Sequence, residues 1–253
     1  MNDTTGSQCE SLRQAIDEAA NVSVLAGAGV SAESGVPTFR GKDGLWRNFS
    51  GEALATPGAF ARDPRLVWEW YDWRRSIVKQ AQPNAGHFAL AELQRRKTSE
   101  NGKSTAFTLI TQNVDGLHDR AGSEHPLKLH GDLWYLRCLA CGKVEKNEEV
   151  PLPELPPHCS ACKGLIRPAV VWFGEPLPEI EWDLATKASE RGGIFMLVGT
   201  SAVVYPAAGL AGMAYGKGAK LAVINPEPTP LDSLAKWVLR GTAAGVLPKL
   251  LHP

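Results

Sequence analysis

Four of the five cysteines form two closely spaced pairs near the middle of the chain. Two residues separate Cys138 from Cys141 and Cys159 from Cys162, and 17 residues lie between the pairs. Thiolates at this spacing are typical of a tetrahedral zinc site, and four of them leave no open coordination position for a substrate. We therefore predict a structural zinc ion that stabilises folding by on the order of 10 kcal/mol. Disulfides or a redox dithiol are the alternatives, and His158 is an alternative ligand.

A glycine-rich loop follows an apolar run near the N-terminus. Residues 27–32 read GAGVSA, the G-x-G-x-x-A spacing of loops whose backbone N–H groups approach a dinucleotide pyrophosphate. A dehydrogenase would continue into a helix and a second strand that ends in an acidic residue. Residues 34–41 read SGVPTFRG instead, and a segment with this many helix breakers cannot continue a helix. A nicotinamide dehydrogenase remains a formal alternative, but the loop favours a dinucleotide-binding protein of another kind.

A helix is predicted over residues 64–80, and one stripe of it combines apolar side chains with a cation. Arg74 is that cation, and periodicity alone favours a surface role in which its guanidinium reaches solvent. Arg75 points away from the stripe, where we expect a surface ion pair with Asp72. The stripe consists of Val67, Tyr71, Arg74 and Val78.

Alternating strands and helices must position these groups. Short apolar runs, each followed by a turn with Gly or Asn, are typical of strands buried on both faces of a parallel sheet. We predict a doubly wound, Rossmann-like α/β sheet with its ligands at the carboxyl ends of the strands. The predicted strands are 22–25, 107–110, 194–198 and 221–224; one predicted helix, 12–20, precedes the first strand, and the helices 87–96 and 207–215 lie between strands.

Two segments break the alternation and are predicted to form a smaller lobe. Residues 35–80 make a helical insertion and residues 131–168 make a zinc-binding insertion. The dinucleotide-binding lobe then comprises residues 1–34, 81–130 and 169–253.

The composition is that of a soluble globular protein with a sizeable core: 43% of the 253 residues are hydrophobic and 21% are charged. Lys and Arg number 27, as do Asp and Glu, so there is no basic excess for nucleic acid. No apolar run is long enough to span a bilayer, and the polar N-terminus resembles neither a secretory signal nor a transit peptide. We expect a cytoplasmic protein, with Cys9 an ordinary thiol near a mobile end.

Residues 27–40, GAGVSAESGVPTFR, resemble the signature of the sirtuins, which are NAD-dependent protein lysine deacylases. The resemblance runs from about residue 19 to residue 248. Further matches follow in the family's order: 111–115 (TQNVD), 129–131 (LHG), 170–175 (VVWFGE) and 199–201 (GTS), with the cysteine pairs in the expected place.

The resemblance implies that NAD binds between the two lobes and that an acylated lysine enters from the opposite side. It assigns residues to the pyrophosphate, both riboses, the nicotinamide and the adenosine end. The implied NAD-binding residues are Gly27, Ala28, Gly29, Phe39, Arg40, Trp46, Gln112, Asn113, Val114, Asp115, Gly199, Thr200, Ser201, Asn225, Glu227 and Ala243.

The resemblance also implies that His130 is the catalytic base, although a lone histidine is more often structural. An imidazole suits the role because its usual pKa of about 6.5 leaves it a competent base near neutrality. The implied products are free lysine, nicotinamide and O-acyl-ADP-ribose. For His87, His118, His125 and His252 we expect ordinary surface or capping roles.

The acyl pocket resembles that of class III sirtuins, which remove succinyl, malonyl and glutaryl groups. Tyr71 and Arg74 match the Tyr-x-x-Arg pair that receives the distal carboxylate, and Ala55 matches a small residue that widens the pocket. A charge-assisted contact contributes about 1.5–3 kcal/mol, which predicts a roughly 10- to 100-fold preference for succinyl over acetyl. The segment implied to pair with the substrate peptide as an added strand, with an ordinary buried strand as its alternative, is Val171, Trp172, Phe173 and Gly174.

Other functions stay open beside a lysine desuccinylase and demalonylase with weaker deacetylase activity. A general deacetylase and a protein ADP-ribosyltransferase share the implied fold. A zinc-ribbon nucleic-acid-binding module belongs to another class, and the zero net charge argues against it. The expected partners are acylated-lysine proteins, with neither nucleic acid nor membrane.

Overall fold

The computed structural model describes residues 3–38, 45–46, 49–99 and 106–252. Strands and helices are numbered along the chain. The strands are β1 (Asn21–Ala26), β2 (Leu45–Trp46), β3 (Phe49–Ser50), β4 (Ala106–Thr111), β5 (Leu127–Lys128), β6 (Gly131–Cys138), β7 (Val144–Lys146), β8 (Ile166–Val170), β9 (Ile194–Val198), β10 (Lys220–Ile224) and β11 (Trp237–Leu239). The helices are α1 (Asp3–Glu18), α2 (Gly29–Ala32), α3 (Gly51–Leu54), α4 (Pro57–Arg62), α5 (Pro64–Gln80), α6 (Ala85–Ser99), α7 (Leu117–Arg120), α8 (Glu179–Ser189), α9 (Gly209–Gly216) and α10 (Ala243–Leu251).

A six-stranded sheet lies at the centre of the larger part of the molecule, in the order β11-β10-β9-β1-β4-β5. Every neighbouring pair in it is parallel, and Val24 in β1 lies between Leu109 of β4 and Met196 of β9. Parallel strands need crossover helices on both faces, so their runs are apolar throughout. The four predicted strands and the doubly wound α/β fold are therefore confirmed.

Successive residues of the central strands point into two separate cores, as the period of two along a strand requires. In β9, Ile194 and Met196 pack with α1, α6 and α10, whereas Phe195 and Leu197 pack with α8 and α9. The sheet is thus covered on both faces, which leaves its strand ends for polar groups.

The predicted start of the first helix and the predicted mobility of Cys9 are wrong. Helix α1 begins at Asp3, and Cys9 lies within it, half-buried against the core. Two contacts with β11 hold this end in place: Trp237 Nε1 donates to Ser11 Oγ (3.1 Å), and the N–H of Val238 donates to Gln8 Oε1 (3.0 Å). A polar helix start that is anchored by a distant strand leaves no periodic signal in the sequence.

A second, antiparallel sheet in the order β7-β6-β8 packs with α5 around a third core. Helix α5 spans the predicted residues. Its start is fixed by Asp63, whose side chain accepts the N–H of Leu66 (2.9 Å), and by Pro64, which is the first residue of the helix. The indole of Trp68 joins α5 to β8 by donating to the carbonyl oxygen of Ile166 (2.8 Å). The division of the chain into two lobes with the predicted boundaries stays a prediction.

Arg75 is buried, so its predicted surface role is wrong. Its guanidinium donates to the carbonyl oxygens of Leu133 (3.2 Å), Asn147 (2.8 Å) and Glu149 (3.1 Å), and it thereby holds β6 and the loop after β7 against α5. Burial lowers the pKa of Arg75, and nearby carboxylates, Asp72 first, oppose that effect. Helical periodicity cannot show that a distant loop covers this face.

Among the described helices, none combines the length and the apolar character needed to cross a membrane.

Candidate active site

A cavity of about 530 Å³ opens at the carboxyl ends of the central strands, a size typical of small-molecule sites. Both the glycine-rich loop and the predicted acyl pocket contribute to its walls. The predicted site residues that line it are Gly27, Ala28, Gly29, Ala55, Tyr71, Arg74, Gln112, Asn113, Val114, Asp115, His130, Val171, Trp172, Phe173, Gly174, Gly199, Thr200, Ser201, Asn225 and Glu227.

The remaining predicted NAD-binding residues are Phe39, Arg40, Trp46 and Ala243. Phe39 and Arg40 lie outside the described residues, as does the side chain of Trp46. Ala243 is buried at the start of α10, where it packs into the larger core instead.

Two glycine loops interlock at the ends of β1 and β9. The N–H of Gly29 donates to the carbonyl oxygen of Gly199 (2.8 Å), and the N–H of Gly199 donates to that of Ile224 (2.9 Å). A Cβ on Gly29 would lie 2.8 Å from that Gly199 oxygen, and a Cβ on Gly199, whose φ is +58°, would lie 2.5 Å from the backbone nitrogen of Val30. Close packing therefore requires these glycines, and it leaves a cradle without side chains beside the start of α2.

Polar side chains after β4 form a buried network under the cavity. Asp115 accepts the Ser31 hydroxyl (2.7 Å) and the N–H of Leu117 (2.8 Å). Asn113 Nδ2 donates to the carbonyl oxygen of Gly27 (3.0 Å) and to Ser31 Oγ (3.2 Å). The network holds the Asn113–Asp115 turn against the glycine-rich loop, so two sequence-distant parts of the predicted NAD site are rigidly joined.

His130 is held in one tautomer at the cavity wall. Its Nδ1 lies 3.0 Å from the carbonyl oxygen of Gln112, and because a carbonyl can only accept, the proton of the neutral ring sits on Nδ1. Burial lowers the pKa of His130 below its usual value, and the bond to Gln112 opposes this effect. Nε2 therefore keeps its lone pair near neutral pH, which is what a general base requires.

His87 Nδ1 accepts the N–H of Asn84 (3.3 Å) just before α6, in keeping with the predicted capping role, but His87 and His118 are both fully buried, so a surface role is wrong for either. Their rings lie 4.9 Å apart, and His87 Nε2 lies 3.3 Å from Ser31 Oγ. Burial lowers the pKa of each to about 4, and for His87 the neighbouring His118 adds to the effect. Sequence reasoning missed this pair, and Ser31 with it, although Ser31 lies inside the glycine-rich motif.

Tyr71 and Arg74 lie one turn apart on α5 and both face the cavity. Tyr71 is buried and accepts the indole N–H of Trp172 (2.8 Å); burial raises its pKa to about 12, against the lowering effect of the Arg74 charge. Arg74 is half-buried over the ring of Trp70, at 5.2 Å, and burial lowers its pKa. A cation in the cavity wall thus lies beside a buried hydroxyl, in a cavity that the small side chain of Ala55 also lines.

The chain after β8 leaves the sheet and turns along the cavity. The N–H of Val171 donates to the His130 carbonyl oxygen and that of Phe173 to the Ala55 carbonyl oxygen, both at 2.9 Å. Trp172 is buried, whereas the Phe173 side chain is exposed. This segment therefore ties the His130 region to the predicted acyl pocket.

Arg167 and Glu175 hold that segment in place, and sequence reasoning did not single them out. The buried Arg167 guanidinium donates to both carboxylate oxygens of Glu175 (2.5 and 2.9 Å) and lies 3.3 Å from the centre of the Trp172 ring. Glu175 in turn accepts the backbone N–H of Trp172 (2.8 Å). The signal available in the sequence was the pair of opposite charges, Arg167 and Glu175, on either side of the end of β8.

The four paired cysteines converge on one point. Sγ of Cys138 lies 3.4 Å from Sγ of Cys162, Sγ of Cys141 lies 3.8 Å from Sγ of Cys159, and all four sulfurs lie within 4.8 Å of one another. Tetrahedral zinc with bonds of about 2.3 Å places sulfurs at about 3.8 Å, so the cluster fits that ion. Gly164 lies between the two knuckles, where a Cβ would be 2.6 Å from that of Ala140.

Backbone donors favour the thiolate forms of Cys138 and Cys159 in this cluster. The N–H of Cys141 is the main cause that lowers the pKa of Cys138 to about 6, and the N–H of Cys162 does the same for Cys159, whose pKa is also lowered. His158 lies outside the cluster, with Nδ1 3.3 Å from a carboxylate oxygen of Glu154. The cluster is a zinc-binding site of four cysteines.

The fold and the site together are those of an NAD-binding α/β protein with a zinc lobe, and comparison with known proteins gives the family. The Sir2 family model matches residues 27–206. The chain is 51% identical over 247 residues to an NAD-dependent protein deacylase of Thermus thermophilus, covering 96% of this chain and 94% of that protein. It is 50% identical over 230 residues to the NAD-dependent protein deacylase of Aquifex aeolicus, covering 91% and 93%.

Solved structures agree. A Sir2 homologue in complex with NAD matches with a TM-score of 0.88 at 47% identity, over 96% of this chain and 92% of that one. Sir2 in complex with a p53 peptide and NAD⁺ matches with a TM-score of 0.84 at 31% identity, over 96% of both chains. The chain belongs to the Sir2 family, the sirtuins, as its motifs predicted. NAD and zinc are confirmed as its cofactors, by the family and by the cysteine cluster.

Proposed function

We propose that this chain is an NAD-dependent protein lysine deacylase that prefers acyl groups with a terminal carboxylate, above all succinyl and malonyl. The observation that carries the acyl preference is the placement of Tyr71 and Arg74 together in the wall of the cavity that His130 also lines. The complex of Sir2 with a p53 peptide and NAD⁺ supports a peptide substrate for the same cavity.

The residues of the cavity have separate tasks in this proposal. The interlocked glycine loops hold the pyrophosphate, and the Gln112–Asp115 turn holds the nicotinamide ribose. NAD, when bound, would supply the ribose carbon that the acyl oxygen attacks as nicotinamide leaves, and the ribose hydroxyl that finally carries the acyl group once lysine is released. His130 accepts a proton at Nε2, because its Nδ1 proton is engaged by Gln112.

Charge explains why a carboxylate would be preferred to a methyl group. Burial lowers the pKa of Arg74, which means that its charged form loses solvation in the cavity wall. An anionic acyl group restores favourable interactions to that charge, and the Tyr71 hydroxyl adds a second donor. A hydrogen bond to a charged group contributes about 1.5–3 kcal/mol, so we expect a preference of about 10- to 100-fold for succinyl over acetyl peptide.

Replacing the cation tests the acyl preference. The Arg74→Met variant should lose about 10- to 100-fold in kcat/KM for a succinyl-lysine peptide. It should keep its kcat/KM for the acetyl-lysine version of the same peptide, because an acetyl group offers no carboxylate. Product masses from peptides incubated with NAD measure both rates.

Arg65→Met is the matched control, since Arg65 lies on the same helix with an exposed side chain that pairs with Glu69. It should change neither rate. Equal loss of both activities in Arg74→Met would contradict the acyl preference, because Arg74 would then act on the reaction in general.

A further inference from the structure

We infer that Trp172 is a positioning residue for acyl recognition: its indole N–H makes the Tyr71 hydroxyl a hydrogen-bond donor toward the cavity. The inference rests on the proposed preference for anionic acyl groups and deepens it. It gives Trp172 a role beyond its place in the segment predicted to pair with the peptide.

The direction of the hydrogen bond between the two rings follows from their chemistry. Trp172 Nε1 lies 2.8 Å from Tyr71 Oη, and both side chains are buried. An indole nitrogen can only donate, so the phenol oxygen accepts in this bond. The single hydroxyl proton of Tyr71 is therefore not used in it, and it stays available for an acceptor in the cavity that Tyr71 lines.

Trp172 itself is fixed on three sides, so it imposes this direction rather than adapting to Tyr71. The Arg167 guanidinium covers its ring at 3.3 Å, and Glu175 accepts its backbone N–H. The ring of Phe60 packs against it with centres 5.1 Å apart. A rigid buried donor next to a hydroxyl determines which way that hydroxyl can donate.

The consequence depends on the acyl group. A succinyl or malonyl carboxylate only accepts hydrogen bonds, so it gains from a tyrosine that is held as a donor beside Arg74. A distal methyl group gains nothing from that proton. Loss of the indole N–H should thus change the selectivity between acyl groups more than it changes the reaction.

The Trp172→Phe variant tests the inference in the full-length zinc-bound protein. Phenylalanine keeps an aromatic ring against Phe60 and Arg167 but lacks the N–H. We expect the ratio of succinyl to acetyl kcat/KM to fall by about 3- to 10-fold, with most of the change in the KM for the succinyl peptide. Thermal unfolding and zinc content verify that the variant is folded.

Trp68→Phe is the control for loss of a buried indole bond in the same core, since Trp68 donates to the backbone of Ile166. It should lower thermal stability without changing the ratio. If both variants change the ratio equally, Trp172 acts through general packing and the inference is wrong.

A double variant tests the mechanism directly. Once Tyr71→Phe has removed the hydroxyl, adding Trp172→Phe should not lower the ratio further, because the two changes remove one interaction. Additive effects of the two substitutions would overturn the inference.

The wild-type protein separates this inference from the proposed function. If the wild type does not prefer the succinyl peptide, both fail. If it does and Trp172→Phe keeps the full preference, the proposed function stands and the role of Trp172 is rejected.

Discussion

At the scale of single residues, His130 shows how a backbone contact prepares a side chain for chemistry. The carbonyl of Gln112 holds the ring proton on Nδ1, and burial keeps the ring neutral by lowering its pKa. Neither effect can be deduced from a histidine in a sequence motif. The motif predicted which residue is the base, and the structure supplies the tautomer.

The pH dependence of deacylation follows from that environment. The neutral ring is the active form, so kcat/KM should be full above the pKa of His130 and fall as the pH drops through it. Because burial lowers this pKa from 6.5, we expect the midpoint of the acid limb below pH 6.5. Initial rates between pH 5 and 8 measure it, with enzyme stability monitored at each pH.

His130→Asn is the control for the pH profile. It should lose about 100-fold or more in kcat/KM, together with the acid limb assigned to the imidazole. An acid limb centred above pH 6.5 in the wild type would contradict the effect of burial on the His130 pKa.

At the scale of elements, the interlocked loops after β1 and β9 position the predicted NAD site. Gly199 adopts φ +58°, and a Cβ there would lie 2.5 Å from the backbone nitrogen of Val30. The neighbour is backbone, so it cannot move aside as a flexible side chain would. This contact gives a packing reason for a glycine that the family motif assigns to NAD binding.

Gly199→Ala should therefore destabilise the fold by about 1–3 kcal/mol and weaken NAD binding. Urea unfolding measures the stability, and calorimetric titration with NAD measures the affinity. Gly212→Ala is the control. Gly212 lies in α9 with open space where a Cβ would be added, and alanine is favoured in a helix. Unchanged stability and affinity in Gly199→Ala would contradict the close packing of the two loops.

The elements also show what a sequence can predict. Four central strands were predicted because their residues are apolar on both faces, and α5 because its stripe recurs at helical spacing. The strands β5 and β11 have two and three residues, too few for a pattern to emerge.

The same limit applies to the site. The motifs brought Gln112, His130 and Gly199 to one cavity correctly. Arg75 was expected at the surface, and His87 and His118 in surface or capping roles, because nothing local reveals which distant segment buries a helix face. Polar residues that are buried by tertiary contacts are where sequence reasoning failed. The assigned contacts to NAD and to the peptide stay predictions, as does the cytoplasmic location.

At the scale of the whole molecule, the zinc cluster stabilises the core that carries the proposed acyl pocket. Cys138 and Cys159 belong to the same apolar cluster as Tyr71 and Trp172, whereas neither core of the six-stranded sheet contains a paired cysteine among the described residues. Zinc therefore supports the part of the cavity wall that Tyr71 and Trp172 form, and its four ligands close the coordination shell, so it offers no open position for chemistry.

Removal of zinc by a chelator should abolish deacylation while the parallel sheet persists. The metal contributes on the order of 10 kcal/mol, so its loss should expose the tryptophans of the third core and redshift their fluorescence. Far-UV circular dichroism should retain most of its signal. Cys9→Ser is the control, because Cys9 lies outside the cluster, and this variant should bind zinc and react like the wild type. Full activity without zinc would contradict the supporting role.

In our proposal, the cavity selects an acyl group by its carboxylate. Succinyl-lysine and acetyl-lysine versions of one peptide, mixed in equal amounts with NAD and the wild-type protein, compete for the same site. Mass spectrometry of the mixture over time gives the ratio of their kcat/KM values. The geometry of Tyr71 and Arg74 predicts that the succinyl peptide is consumed about 10- to 100-fold faster. Equal consumption, or faster loss of the acetyl peptide, would contradict the claim.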